Sequence, residues 1–132
     1  MLVLDTSVVI AFATAEPEAP AFKARVQAAS AIFLSACSYV EASLVLQGRA
    51  GAPGRSTFDA LVGALETERL VIVAFDRQQA ELAREGFRRY GKGRHPAGLN
   101  LGDCFAYALA KALDAPLLFK AGGFAKTDVA RA

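Results

Sequence analysis

The feature that most constrains this chain is the spacing of its short, unbroken apolar runs. Met1–Leu4, Ile32–Leu34, Leu70–Val73 and Leu117–Phe119 each read as a strand, and none alternates apolar with polar residues. A strand with one wet face alternates, whereas a strand covered on both faces does not, and that is the habit of parallel sheets. Helical stretches lie between the runs. They are Pro20–Ala29, Ala36–Arg49, Arg55–Glu68 behind a Gly51-Ala52-Pro53-Gly54 break, a helix capped by Asp76 that runs to Tyr90, and Gly102–Leu113. This alternation over 132 residues predicts one α/β domain, residues 1–132, with helices around a small, mainly parallel sheet.

Composition narrows the class. A chain that is 54% hydrophobic buries a real core and is not disordered. No run approaches the roughly 18 apolar residues of a membrane span. Asp5 interrupts the first apolar run too early for a signal peptide. A soluble, cytoplasmic protein with no membrane association is expected. Cys37 and Cys104 have no metal-type spacing and read as reduced, buried small hydrophobes.

In open α/β sheets, ligands collect beyond the carboxyl ends of the strands. Three acids fall there. Asp5 directly follows the first strand; it reads either as the cap of a short helix begun by Thr6 and Ser7 or, if those residues cap instead, as a site acid. Glu41 is the only charge in Ser38–Leu46. At helical spacing it shares a face with Leu44, Val45 and Gly48, a costly place for an unpaired carboxylate. Asp103 opens the last long helix, where the dipole favours it, but Ala106, Tyr107 and Ala110 continue its face and Gly102 allows close approach of the chain.

Three carboxylates brought together repel one another unless a cation joins them. With oxygen donors only, a hard Mg²⁺ or Mn²⁺ ion suits the set better than zinc. Such an ion supports phosphodiester hydrolysis by an activated water. The only histidine, His95, lies in a basic loop, so a nucleophilic triad is disfavoured, and no P-loop or GxGxxG segment occurs.

A net charge of +2 prescribes no partner by itself. The densest positive stretch, Arg84, Arg88, Arg89, Lys92, Arg94 and His95, leads into Asp103. It reads either as a solvated helix end and loop or as an approach that holds nucleic-acid phosphates, with Arg89, Lys92, Arg94 and His95 as the contacts. Ser7 reads either as an N-cap beside Asp5 or as a residue that orients it, and Asn100 either as a partner of an acid or a water or as a shaper of the turn.

Taken together, Val3-Leu4-Asp5-Thr6-Ser7, Tyr39-Val40-Glu41, Leu101-Gly102-Asp103-Cys104-Phe105-Ala106-Tyr107-Ala108 and Leu117-Leu118-Phe119-Lys120 resemble the PIN-domain nucleases. Gly93–Ala97 and Phe124–Val129 make the chain most similar to the VapC toxins within them. The resemblance spans nearly the whole chain. It implies a three-layer α/β/α sandwich, Mg²⁺- or Mn²⁺-dependent endoribonuclease activity, a homodimer, and neutralisation by a VapB-type antitoxin. Asp5, Glu41 and Asp103 match the first three active-site acids of the family, and Thr127 and Asp128 match a family feature near the pocket. One departure stands out. Where the family has Phe-Lys-Gly-x-Asp-Phe, this chain reads Phe119-Lys120-Ala121-Gly122-Gly123-Phe124, so Gly123 takes the place of the fourth acid. Weakened cleavage, or a module that binds antitoxin without cutting RNA, is the expectation that follows.

Overall fold

Each apolar run does become a strand, and apart from the exposed Val71 every strand residue is buried or half-buried. In the computed structural model, which describes residues 1–120 and 122–132, the strands are β1 (Leu2–Leu4), β2 (Ile32–Ser35), β3 (Leu70–Val73) and β4 (Leu117–Leu118). They form one parallel sheet in the order β3-β2-β1-β4, with Leu2 opposite Ile32, Ile32 opposite Leu70 and Val3 opposite Leu117. Successive side chains point to opposite faces, so the sheet separates two cores. Leu2, Leu4, Ile32, Leu34, Leu70 and Leu118 join one; Val3, Leu117 and Phe119 join the other.

The helices divide the same way. Helices α1 (Thr6–Ala13), α2 (Ala19–Ala28) and α3 (Ala36–Thr67) cover the first face, through residues such as Val8, Phe22, Leu46 and Phe58. Helices α4 (Arg77–Tyr90) and α5 (Leu101–Leu113) cover the second, through Ala83, Tyr90, Tyr107 and Leu109. The three-layer α/β/α sandwich is therefore present. Among the described residues, no helix is long and apolar enough to cross a membrane.

This topology fixes where a site can form. The connections from β1 to β2 and from β2 to β3 lie on one face, and the connection from β3 to β4 lies on the other. The order thus reverses between β1 and β4, and a crevice opens outside their carboxyl ends. Asp5 follows β1 immediately, at that crevice.

Local details depart from the sequence reading in three places. The Gly51-Ala52-Pro53-Gly54 break does not separate two helices by a loop. Gly51 alone leaves helical geometry, at φ 64 and ψ −143, and α3 resumes at once across the kink. Gly54 lets the two arms meet, since an ideal Cβ there would lie 2.1 Å from the Leu46 carbonyl oxygen. The stripe assigned to Glu41 is also different. Leu44 is 62% exposed, and the buried line on the first arm of α3 runs through Ser38, Ala42 and Leu46, leaving Glu41 half-buried beside it. The cysteines are free, with Cys104 buried but Cys37 only half-buried.

Candidate active site

Asp5 is 5% exposed and caps α1. Its Oδ2 accepts hydrogen bonds from the backbone N–H of Ser7 at 3.0 Å and from the Ser7 hydroxyl at 2.6 Å. Of the two readings of this helix start, Asp5 is the cap, and Ser7 is what it binds. Both bonds fall on Oδ2, and among the described residues nothing donates to Oδ1. The Ser7 hydroxyl oxygen in turn accepts from the backbone N–H of Lys120 at 3.1 Å, tying the end of β1 to the end of β4.

Burial sets the electrostatics. Loss of solvent drives the Asp5 carboxyl up to about 6 against the pull of its two Ser7 bonds, and the charges of Asp103 and Glu41 push it the same way. Asp5 therefore feels the charge of both other acids. Asp103 is half-buried, and its carboxyl is also raised by loss of solvent, with the Asn100 N–H opposing.

Each of the other two acids is positioned by local bonds. The Glu41 Oε1 accepts from the Thr6 hydroxyl at 2.6 Å. Its other oxygen rests against Gly102, where an ideal Cβ would lie 1.8 Å from Oε2. The bare Cα foreseen for close approach of the chain is what admits the Glu41 carboxylate. Asp103 forms a reciprocal capping box with Asn100. The Asn100 Oδ1 accepts from the Asp103 N–H at 2.8 Å, while the Asn100 N–H donates to the Asp103 Oδ2 at 3.0 Å. Asn100 thus orients Asp103 through its backbone N–H.

The other candidates separate. The Thr127 hydroxyl closes the 3₁₀ turn Gly123–Lys126 by donating to the Phe124 carbonyl at 2.7 Å. Asp128 receives the Tyr107 hydroxyl at 2.8 Å, the Lys111 ammonium at 3.1 Å and the Arg89 guanidinium at 3.2 Å. Burial alone would raise its carboxyl, but these donors outweigh it and hold the group low. None of these partners is Asp5, Glu41 or Asp103, so Asp128 anchors the C-terminal segment to α4 and α5.

The basic stretch is partly neutralised. Arg84 pairs with Glu81, Arg88 with Glu85 and Arg89 with Asp128. Lys92 and Arg94 are exposed, with the Arg94 guanidinium 5.8 Å from the centre of the Phe87 ring. The His95 Nδ1 accepts from the Ala97 N–H at 3.0 Å, and its ring meets Tyr90 edge-on at 5.1 Å. Within this stretch, and among the described residues, the cations without an acidic partner are Lys92 and Arg94 of the loop between α4 and α5.

Gly123 plays a part that sequence reasoning missed. An ideal Cβ at this position would lie 1.7 Å from the Ala97 carbonyl oxygen and 2.5 Å from its carbon. The backbone as it stands has no room for a side chain there, acidic or otherwise. Ala121, within the same stretch, lies outside the described residues.

Among the described residues, no group of three or more His, Cys, Asp or Glu side chains is arranged to hold a metal ion. Oδ2 of Asp5, Oε1 of Glu41 and Oδ2 of Asp103 are each engaged by local donors. The chemistry of the donor set still fits a hard divalent cation. Its members are all carboxylates, one oxygen of each is left over, and the buried Asp5 carries the repulsion of the other two.

The PIN domain model matches residues 2–130. Over 129 residues the chain is 46% identical to a protein named Ribonuclease VapC from Mycolicibacterium smegmatis, covering 98% of each. It is 45% identical over 129 residues to Ribonuclease VapC30 of Mycobacterium tuberculosis, covering 98% of this chain and 96% of that one. Among solved structures, VapC20 of Mycobacterium tuberculosis, described as a sarcin-ricin loop cleaving toxin, superposes with a TM-score of 0.78 at 14% identity, covering 100% of this chain and 98% of that one. That likeness shows the fold, while the sequence relatives and the family model carry the assignment. The chain belongs to the PIN-domain family, among relatives named as VapC ribonucleases.

Proposed function

We propose that this chain is a divalent-metal-dependent endoribonuclease, the toxin half of a toxin–antitoxin pair. The observation that carries the reading is the buried Asp5 carboxyl at the β1/β4 switch point, raised to about 6 with Glu41 and Asp103 beside it. The relatives named as ribonucleases support the substrate class. A fold neighbour at TM-score 0.73, VapBC2 from Rickettsia felis bound to a promoter DNA fragment, is itself a complex of the toxin–antitoxin type and supports an antitoxin partner.

In this reading Asp5, Glu41 and Asp103 hold Mg²⁺ or Mn²⁺ through the oxygens that their local bonds leave over. The bound ion supplies an activated water and neutralises charge on the scissile phosphate. The protein does the rest. Ser7 and Asn100 keep the Asp5 and Asp103 carboxylates fixed in rotation, and Thr6 does the same for Glu41. Lys92, Arg94 and His95 face the RNA backbone beside the mouth of the crevice, whereas Arg89 is held by Asp128. Cytoplasmic action and a homodimer belong to the same proposal. Val40 and Leu44, 52% and 62% exposed one turn apart on α3, offer an apolar face to a twin subunit or an antitoxin helix.

Gly123 favours a second reading, in which the chain binds antitoxin but cuts RNA weakly or not at all, because one carboxylate of the family pattern is missing. Incubation of the purified chain with labelled RNA separates the two. Mn²⁺-dependent fragments that disappear with EDTA and with Asp5→Ala establish the nuclease. No fragments under any of these conditions favours the binding module.

A further inference from the structure

The Gly123–Ala97 contact closes a ring of contacts around the acids. Asp5 accepts from Ser7, and Ser7 accepts from the Lys120 N–H. Gly123 follows Lys120 by three residues and abuts the Ala97 carbonyl. Ala97 precedes Leu99 and Asn100, and Asn100 is locked to Asp103. Ala97, Leu99, Tyr90, Phe119 and Phe124 share one buried cluster, so the 3₁₀ turn and the basic loop form a single packed unit. The loop is closed at its own base by the Lys92 N–H donating to the Leu99 carbonyl and the Leu99 N–H to the Tyr90 carbonyl, both at 2.9 Å. What sets the unit's position against the end of β4 is a backbone-to-backbone approach. Atoms of the main chain cannot swing away as the end of a flexible side chain can.

We propose that Gly123 is a positioning residue for RNA binding: its bare Cα seats the loop Gly91–Leu99, and with it Lys92, Arg94 and His95, beside the acidic crevice. The function of the loop rests on the ribonuclease reading above; the seating does not. Gly123 is then more than a lost acid. Putting a side chain back costs the loop its place, so Gly123→Asp lowers RNA affinity rather than restoring a complete site.

Hydrogen exchange of the full chain, wild type against Gly123→Ala, reads the seating without RNA. The amides of Lys92, His95 and Gly98 are expected to exchange about tenfold faster in the variant, while those of β1 and β2 hold their rates. Steady-state cleavage of labelled RNA then reads the function. KM is expected to rise about tenfold with kcat nearly unchanged, the mark of lost binding shared by ground and transition states. Unchanged loop exchange overturns the proposal, and so does faster exchange with an unchanged KM. If Gly123→Ala fails to fold, Ala97→Gly leaves the contacting carbonyl in place but frees the loop backbone at the point of contact, and the same two readings apply. Absence of cleavage by the wild-type chain counts against the ribonuclease reading alone, since the exchange arm still decides whether Gly123 seats the loop.

Discussion

Gly102 and Glu41 meet in a fit that leaves no space for a methyl group: the Glu41 Oε2 lies where a Cβ on residue 102 would come within 1.8 Å. The second acid of the crevice thus depends on the absence of a side chain one residue before the third. Gly102→Ala forces either the Glu41 carboxylate or the first turn of α5 to move. Overpacking of this kind costs about 1–3 kcal/mol of stability. Displacement of an acid by even an ångström lowers cleavage by about 10²-fold. Thermal unfolding and single-turnover RNA cleavage of Gly102→Ala check the two effects together.

Asp5 trades stability for function. Its carboxyl titrates near 6 in the folded chain against an ordinary 3.8, so the folded state holds this proton more tightly than the unfolded one does. The sign follows: stability is lost as pH rises from about 3.8 to about 6, by about 3 kcal/mol for a shift of this size. Asp5→Asn keeps an acceptor for Ser7 and carries no charge. In EDTA at pH 7.5 it is expected to be more stable than wild type, the difference closing toward pH 4, and to be inactive. Urea unfolding across this range measures the gap, and a wild type at least as stable as Asp5→Asn at pH 7.5 contradicts it.

Ser7→Ala removes one of the two bonds that pull the Asp5 carboxyl down and strips the Lys120 N–H of its acceptor. The loss of one buried hydrogen bond costs about 1–2 kcal/mol. The acidic limb of the cleavage–pH profile is expected to move to higher pH, because the remaining influences on Asp5 are mostly unfavourable to its charge. A profile with an unmoved acidic limb argues that Asp5 is not the group being titrated.

Asp128 is bonded to α4 and α5 and to none of the three acids. Asp128→Asn weakens the links to Lys111 and Arg89 and is expected to lower stability by about 1–3 kcal/mol. Cleavage per folded molecule remains near wild type. A loss of kcat out of proportion to the loss of folded protein would return Asp128 to the site.

How much of this was legible beforehand follows from the range of the forces involved. The strands were readable because each apolar run is buried on at least one face, and β1, β2 and β4 on both, and Asp76 was readable as a cap because its bond to the Gln79 N–H spans three residues. Asp5 and Asp103 were visible as acids at element starts, and Gly102 as a place of close approach. The unread features depend on chain segments far apart in sequence. Gly123 meets Ala97 across 26 positions, and Asp128 meets Tyr107 across 21. No periodicity encodes such meetings. The position of Glu41 was misjudged for a related reason: spacing gives the face of a helix, but neighbouring elements decide which face is covered, and Leu44 was left outside.

The central claim is that Asp5, Glu41 and Asp103 share one divalent cation, and Mn²⁺ titration followed by thermal unfolding tests it most directly. A ligand that binds only the folded state raises its stability by about 2.7 kcal/mol at a hundredfold excess over Kd. The account predicts that Mn²⁺ raises the unfolding temperature of the wild-type chain, and that Asp5→Asn and Asp103→Asn each abolish most of that rise. An equal rise in all three proteins, or none in the wild type, contradicts it.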